Sequence, residues 1–132
     1  MTQGPMTILF VNHDRNQHET FCEILRRIDP KHKCLKRFST ESALEYLLDP
    51  DCVSPDLIFL DLAFPGHDGK QMLMELKKST GLKHIPVCIY TESAKESDRD
   101  DTRKLGAIGY IVKEQNLGSL AESITSVIDS CD

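Results

Sequence analysis

The 132-residue sequence predicts an α/β domain built on a doubly wound parallel sheet. Three observations support this fold class. Short apolar runs alternate five times with stretches in which apolar residues recur at helical spacing. Most of these runs are continuously apolar, which is typical of strands buried on both faces of a parallel sheet. Right-handed crossovers between parallel strands then favour a doubly wound arrangement.

The five predicted strands are short and end in polar or turn-forming residues. They cover residues 7–11, 33–38, 57–60, 85–90 and 108–112. The second strand carries three basic side chains, Lys33, Lys36 and Arg37, which suit the edge of a sheet better than its centre.

Each predicted helix follows one of these strands. The first ends at Asp29-Pro30, the second at Asp49-Pro50 and the third near Gly81, while the last runs through residues 117–128. Residues 93–104, in contrast, are almost wholly polar. A helix there would be weakly anchored, and it would be either a solvated element or one that moves or faces a partner.

Composition excludes several classes of protein. A net charge of −5 argues against a broad nucleic-acid surface. No apolar run approaches the roughly 20 residues of a membrane span, and no segment resembles a signal peptide. We expect a cytoplasmic protein with a loose tail at residues 1–6 and a single domain at 7–132.

The five cysteines lack CxxC spacing, so we expect reduced, mostly buried thiols. They are Cys22, Cys34, Cys52, Cys88 and Cys131.

Polar side chains end four of the strands. They are Asn12, His13 and Asp14 after the first strand, Asp61 after the third, Thr91 after the fourth and Lys113 after the fifth. Because the carboxyl ends of parallel strands share one edge, these residues should converge there. A carboxylate can attack a phosphoryl group, while an ammonium group and a divalent cation can neutralise its oxygens. A hydroxyl group can donate a hydrogen bond to one of them.

Three motifs resemble the receiver domain of bacterial two-component response regulators. Residues 61–69 (DLAFPGHDG) are similar to the family's DLxMPxMDG turn, Thr91 to its strand-four Thr or Ser, and residues 109–113 (GYIVK) to its Gly-aromatic-x-x-Lys. The resemblance covers about residues 7–129. It implies a flavodoxin-like receiver fold with strand order 2-1-3-4-5.

The resemblance also implies roles for single residues. Asp61 would accept a phosphoryl group from a histidine kinase or phosphotransfer protein, and Lys113 would pair with Asp61 or its phosphate. Thr91 would move toward the phosphoryl group, and Tyr110 would be the aromatic switch that follows it. The face of helix four, strand five and helix five would meet a downstream protein, and it is also compatible with a homodimer.

The metal site departs from the family pattern. Two adjacent acids normally hold Mg²⁺ at the end of strand one, whereas this chain has Asn12 and His13. Three outcomes stay open: weak Mg²⁺ binding through Asp61, the Ala63 carbonyl and water; a metal that tolerates His13, such as Mn²⁺; or no useful metal. Asp14 would join the ligands only if its loop turned inward, and would otherwise cap the first helix.

Two further departures flank the predicted phosphoryl site. Glu92 follows Thr91 where the family has a small residue, so Glu92 could obstruct the site or repel a phosphate. Glu114 stands where the family has proline. A cis bond before a residue other than proline costs about 2.5–4 kcal/mol, so Lys113–Glu114 should be trans.

Two functions therefore remain. The leading hypothesis is a stand-alone receiver phosphorylated on Asp61 that signals through protein contacts, because 132 residues leave little room for an output domain. The alternative is a pseudo-receiver that is never phosphorylated and acts as a protein-interaction module. We do not expect an enzyme: a haloacid-dehalogenase-type phosphohydrolase would need a second aspartate where Ala63 stands. A flavin binder is disfavoured because residues 12–18 lack a phosphate-cradling loop.

Overall fold

A computed structural model of the chain describes residues 4–64, 67–114 and 116–131. Its strands are β1 (Thr7–Val11), β2 (Lys33–Arg37), β3 (Leu57–Leu60), β4 (Ala63–Phe64), β5 (His67–Asp68), β6 (Val87–Thr91) and β7 (Gly109–Val112). Five of them form one parallel sheet in the order β2-β1-β3-β6-β7. Counting only these five, the order is 2-1-3-4-5, so the predicted fold is confirmed. The antiparallel β4–β5 pair was not predicted; it lies in the turn that follows β3.

The strand register aligns the carboxyl ends of the sheet. Val11 pairs with Leu60, and Thr91 pairs with Val112. The backbone ladder continues one residue beyond three strands: the N–H groups of Asn12, Asp61 and Lys113 donate to the carbonyls of Arg37, Val11 and Thr91 at 3.1, 3.1 and 2.8 Å. Backbone hydrogen bonds alone therefore fix the positions of the residues that follow β1, β3 and β7.

Helices cover both faces of the sheet. They are α1 (Arg15–Ile28), α2 (Thr40–Leu48), α3 (Gly69–Lys78), α4 (Glu96–Lys104) and α5 (Leu117–Asp129). The apolar stripes of α1 and α5 pack on one face, and those of α2 and α3 pack on the other. The third helix ends at Lys78 rather than near Gly81, because hydrogen-bonded turns at Ser79 replace its last predicted turn. No helix within the described ranges is long and apolar enough to span a membrane.

The predicted loose tail, residues 1–6, includes one residue that packs in the core. Met6 is buried in the core cluster on the face of the sheet that α1 and α5 cover. Its N–H donates to His32 Nδ1 at 2.9 Å, and its carbonyl accepts from the N–H of Lys33 at 2.9 Å. The expectation of a loose tail is therefore wrong for Met6, while residues 1–3 lie outside the described part of the chain.

The prediction of five reduced, mostly buried thiols is also wrong. Cys22 on α1 and Cys34 on β2 form a disulfide, with Cα atoms 6.1 Å apart. The packing of α1 against the edge strand places the two residues within ordinary disulfide range, although their spacing in sequence gives no such signal. Of the remaining cysteines, Cys88 is buried, and Cys52 and Cys131 are partly exposed.

Helix α4 has the thin apolar face that its sequence predicts, since Thr102 is its one buried residue. It is nevertheless held by polar contacts that were not predicted. Lys70, in the first turn of α3, lies 2.7 Å from Asp98 and 3.0 Å from Asp101. The helix therefore depends on an ion-pair cluster rather than on buried apolar surface.

Candidate functional site

Asp61 lies at the floor of an open cleft of about 630 Å³ at the carboxyl edge of the sheet. It follows β3 directly, and its side chain is 5% exposed. Asn12, Thr91 and Lys113 line the same cleft, together with Lys70. The convergence expected from the parallel-strand pattern is therefore present.

Four donors surround the Asp61 carboxylate. Oδ1 accepts from the backbone N–H groups of Leu62 at 2.7 Å and Ala63 at 3.3 Å. Oδ2 accepts from Asn12 Nδ2 at 3.1 Å and from Lys113 Nζ at 3.2 Å. Both oxygens of this buried carboxylate are thus satisfied, as a buried charge requires.

The orientation of the Asn12 carboxamide is determined by its neighbour. The backbone N–H of Asp14 donates to Asn12 Oδ1 at 2.8 Å, and an N–H group requires an acceptor there. The NH₂ group is therefore the end that faces Asp61. Asn12 is fully buried, so this residue presents a donor, not an oxygen ligand, to the acidic centre of the cleft.

The other residues predicted as metal ligands, His13, Asp14 and Ala63, line the same cleft. His13 is exposed, and its ring packs edge-on against Phe64 with the ring centroids 6.0 Å apart. Asp14 caps α1, with Oδ1 accepting from the N–H of Asn16 at 2.8 Å. Ala63 begins β4, and its backbone N–H donates to Asp61 Oδ1 at 3.3 Å. Within residues 4–64, 67–114 and 116–131, no three His, Cys, Asp or Glu side chains are grouped to hold a metal.

Ser93 connects two residues that the sequence singles out. Its N–H donates to Thr91 Oγ1 at 3.4 Å, and its carbonyl accepts from the Tyr110 hydroxyl at 2.8 Å. Thr91 is buried, whereas Tyr110 is half-buried beneath the Arg99 guanidinium, 4.6 Å from its ring centroid. Burial raises the pKa of Tyr110. The Ser93 hydroxyl also donates to Asp98, so the hydrogen bonds of Ser93 extend to α4. Sequence analysis missed Ser93, because its part depends on backbone atoms.

Lys113 contacts a second residue that was not predicted. Its ammonium lies 5.4 Å from the ring centroid of Tyr90, which is buried. Burial and the nearby charge of Asp61 raise the pKa of Tyr90 to about 12. The Lys113–Glu114 bond is trans, as expected. Glu92 lines the cleft and remains exposed, so its carboxylate does not occupy the buried space around Asp61.

The last residue of the DLAFPGHDG motif has a steric role. A Cβ at Gly69 would lie 2.7 Å from Leu62 Cα and would overlap the carbonyl oxygen of Asp61. The N–H of Gly69 donates to the Leu62 carbonyl at 3.0 Å. Glycine therefore lets the start of α3 pack directly on the Asp61 turn. Pro65 and Gly66 of the motif lie outside the described residues.

Two more residues near the site escaped sequence analysis. His18 is buried on α1, and its Nε2–H donates to the Asn12 carbonyl at 2.7 Å. Burial lowers the pKa of His18. Lys70 lines the cleft, and its hydrogen bonds to Asp98 and Asp101 raise its pKa. Neither residue ends a strand, which was the signal that revealed the others.

Comparison with known proteins identifies the family. The model for the response regulator receiver domain matches residues 8–125. The chain belongs to this family.

Similar proteins include both short and long relatives of this receiver domain. The chain is 28% identical to response regulator Rcp1 of Synechocystis over 127 residues, which cover 93% of this chain and 86% of Rcp1. It is 35% identical to the phosphate regulon regulator PhoB of Escherichia coli over 88 residues, 67% of this chain and 37% of PhoB. The matched region therefore spans most of one relative and about a third of the other.

Solved structures support the same assignment. The Mn²⁺-bound form of Rcp1 is similar with a TM-score of 0.82 at 28% identity, covering 93% of this chain and 91% of that one. The phosphorylated cyanobacterial phytochrome response regulator RcpA gives a TM-score of 0.84 at 28% identity, covering 96% of this chain and 93% of that one. The chain thus contains a receiver domain of two-component signalling with the predicted fold.

Proposed function

We propose that this receiver domain accepts a phosphoryl group on Asp61 from a histidine kinase or a phosphotransfer protein. The observation that carries the proposal is the convergence of Asp61, Thr91 and Lys113 in one open cleft. A carboxylate nucleophile, an ammonium group and a hydroxyl group at neighbouring strand ends suit phosphoryl transfer better than any other chemistry considered for this chain. The phosphorylated form of RcpA, a structure similar to this chain, is consistent with it.

The transfer can be written from the contacts of Asp61. Oδ2 lies between the Asn12 amide and the Lys113 ammonium. It forms the new bond to phosphorus while the P–N bond to the donor imidazole breaks, and the bonding pair leaves with that imidazole. Lys113 then offsets negative charge on the phosphoryl oxygens, and the Thr91 hydroxyl donates to one of them after a small movement.

The contacts of Ser93 provide a route from the cleft to the surface. If Thr91 moves toward the phosphoryl group, its bond with the Ser93 N–H is lost, and Ser93 also holds Tyr110 and Asp98. Helix α4 buries little, so a shift of this segment has a low energetic cost. We propose that the surface of α4, β7 and α5 changes in this way and contacts a downstream protein or a second copy of the chain.

The donor set around Asp61 does not fit Mg²⁺. This ion prefers near-octahedral oxygen ligation and usually takes one or two carboxylates. Asn12 presents its NH₂ group, the Asp14 carboxylate caps α1, and both Asp61 oxygens accept hydrogen bonds. His13, the residue that would favour Mn²⁺, packs on Phe64 instead. Of the three metal hypotheses, this geometry favours the absence of a useful metal.

One observation favours the alternative function. The Asn12 amide and Lys113 occupy Oδ2, the oxygen that would attack phosphorus. A receiver locked in this state would be a constitutive protein-interaction module that presents the surface of α4, β7 and α5 unchanged.

Intact-mass spectrometry after incubation with acetyl phosphate and with phosphoramidate would separate the two functions. Phosphorylation predicts a single phosphoryl adduct that is absent in Asp61→Ala. Lys113→Met should greatly reduce the adduct, whereas Lys78→Met, an exposed lysine on α3, should leave it unchanged. No adduct with either donor, or with a panel of phosphorylated phosphotransfer proteins, would favour the interaction module.

A further inference from the structure

We infer that Asp61 is phosphorylated without a divalent cation, and that the Asn12 carboxamide and the Lys113 ammonium together take the cation's place. This inference deepens the proposed function and rests on it. Three features of the cleft support it: the orientation of Asn12, the balance of buried charge, and the hydrogen bonds already accepted by three nearby oxygen atoms.

Asn12 is positioned as a donor to the attacking oxygen. Its Nδ2 lies 3.1 Å from Asp61 Oδ2, and Lys113 Nζ lies 3.2 Å from the same atom. Once Oδ2 bonds to phosphorus it becomes the bridging oxygen of an acyl phosphate, which is a weak acceptor. Both donors are then within reach of the phosphoryl oxygens one bond away. Donors this close to the bonding oxygen can shift to the phosphoryl oxygens, where negative charge develops during the transfer.

Buried charge in the cleft is already balanced. The Asp61 and Lys113 side chains, 5% and 10% exposed, carry opposite charges and form an ion pair. Lys70 is balanced separately by Asp98 and Asp101. Glu92 and Lys95 lie at the exposed rim. An arriving phosphoryl group therefore meets no cluster of buried carboxylates that only a divalent cation could offset.

Three oxygen atoms in the cleft around Asp61 accept hydrogen bonds from backbone N–H groups. Asn12 Oδ1 accepts from Asp14, Asp14 Oδ1 accepts from Asn16, and Asp61 Oδ1 accepts from Leu62. A cation that bound these three oxygens would have to displace their hydrogen bonds, and the Asn12 bond is buried. Binding through Asp14 Oδ1 would also remove the cap of α1, at an energetic cost.

The test compares phosphorylation with and without cation in four proteins. Metal-stripped wild type, Asn12→Ala, Asn12→Asp/His13→Asp and Asn16→Asp are incubated with acetyl phosphate in chelator or in Mg²⁺, and the adduct is followed by intact mass. Asn16→Asp is the matched control, since it makes the same change at an exposed position of the same loop and helix start. Circular dichroism verifies that each variant is folded.

We expect wild type and Asn16→Asp to form the adduct at the same rate in chelator and in Mg²⁺. Asn12→Ala should be slower by about tenfold or more in both, because one charge-assisted hydrogen bond is lost. Asn12→Asp/His13→Asp should need Mg²⁺ and should also gain Mg²⁺ binding by calorimetry, a readout independent of phosphorylation.

The outcomes separate the inference from the proposed function. A wild-type adduct that forms only with Mg²⁺ overturns the inference and leaves phosphorylation of Asp61 intact. An Asn12→Ala rate equal to that of wild type overturns the role of the carboxamide. No adduct in any protein or condition, with acetyl phosphate or with the panel of phosphorylated phosphotransfer proteins, overturns both the inference and the proposed function.

Discussion

Replacing Asn12 with aspartate should destabilise the protein strongly. The Asn12 amide nitrogen lies 3.1 Å from a buried oxygen of Asp61. A carboxylate oxygen at that distance repels Asp61 by about 5 kcal/mol at an effective dielectric constant near 20. The lost hydrogen bond to a charged group costs about 1.5–3 kcal/mol more. Rotation of the new side chain or uptake of a proton relieves part of this sum, so we expect a net loss of about 3–5 kcal/mol at pH 8.

The loss should depend on pH with a defined sign. Two carboxylates in contact retain a proton in the folded state at pH values where the unfolded chain has released both. The folded state then binds more protons, so the stability of Asn12→Asp falls as pH rises. The difference from wild type should be largest near pH 8 and should shrink toward pH 4. Urea unfolding followed by circular dichroism at several pH values measures it.

Two comparisons make this prediction specific. Asn12→Ala removes the hydrogen bond without adding charge, so its loss should be about 1.5–3 kcal/mol with no added pH dependence. Mg²⁺ should restore stability to Asn12→Asp alone, because only that variant offers two adjacent carboxylates. Equal urea midpoints for Asn12→Asp and wild type at pH 8 would refute the placement of the amide against Asp61.

Three further predictions concern groups around the site. Burial lowers the pKa of His18 from 6.5, so the folded state binds fewer protons than the unfolded state. The free energy of unfolding should therefore fall as pH drops below about 6.5. In urea unfolding, His18→Gln should remove this dependence of stability on pH. Lys70→Met should speed hydrogen exchange of the α4 amides, and high salt should do the same in wild type. Lys78→Met should leave the exchange rates unchanged. Equal exchange in Lys70→Met and wild type would contradict the role of the ion pairs in holding α4. Cys22→Ser should lower the free energy of unfolding by about 3 kcal/mol under oxidising conditions, which is the value for a closed loop of 12 residues. Cys52→Ser, the control, should not lower it. A loss that persists in reductant would count against the Cys22–Cys34 bond.

The sequence was most informative where position alone decides proximity. Asp61, Thr91 and Lys113 each end or follow a parallel strand, and parallel strands must end at one edge, so their meeting needed no knowledge of side-chain packing. The strand order itself came from the family resemblance rather than from hydrophobic pattern.

What the sequence could not show depends on contacts between elements. The direction of the Asn12 amide is set by one backbone N–H of Asp14, which no residue pattern encodes. The Cys22–Cys34 pairing depends on how α1 lies across the edge strand. Gly69 lets α3 begin against the Asp61 turn, and Lys70, the next residue, contacts Asp98 on α4. Each of these features requires the assembled structure.

The aromatic composition of the chain provides an intrinsic optical probe. It contains no tryptophan and three tyrosines. Tyr90 lies against the Lys113 ammonium, and Tyr110 is bonded to Ser93. Tyr46, on α2, donates its hydroxyl to the Val53 carbonyl, away from the cleft. Near-ultraviolet absorbance and tyrosine emission of the unlabelled protein should therefore respond to ligands at Asp61, so that titrations can be followed without a dye or an introduced tryptophan.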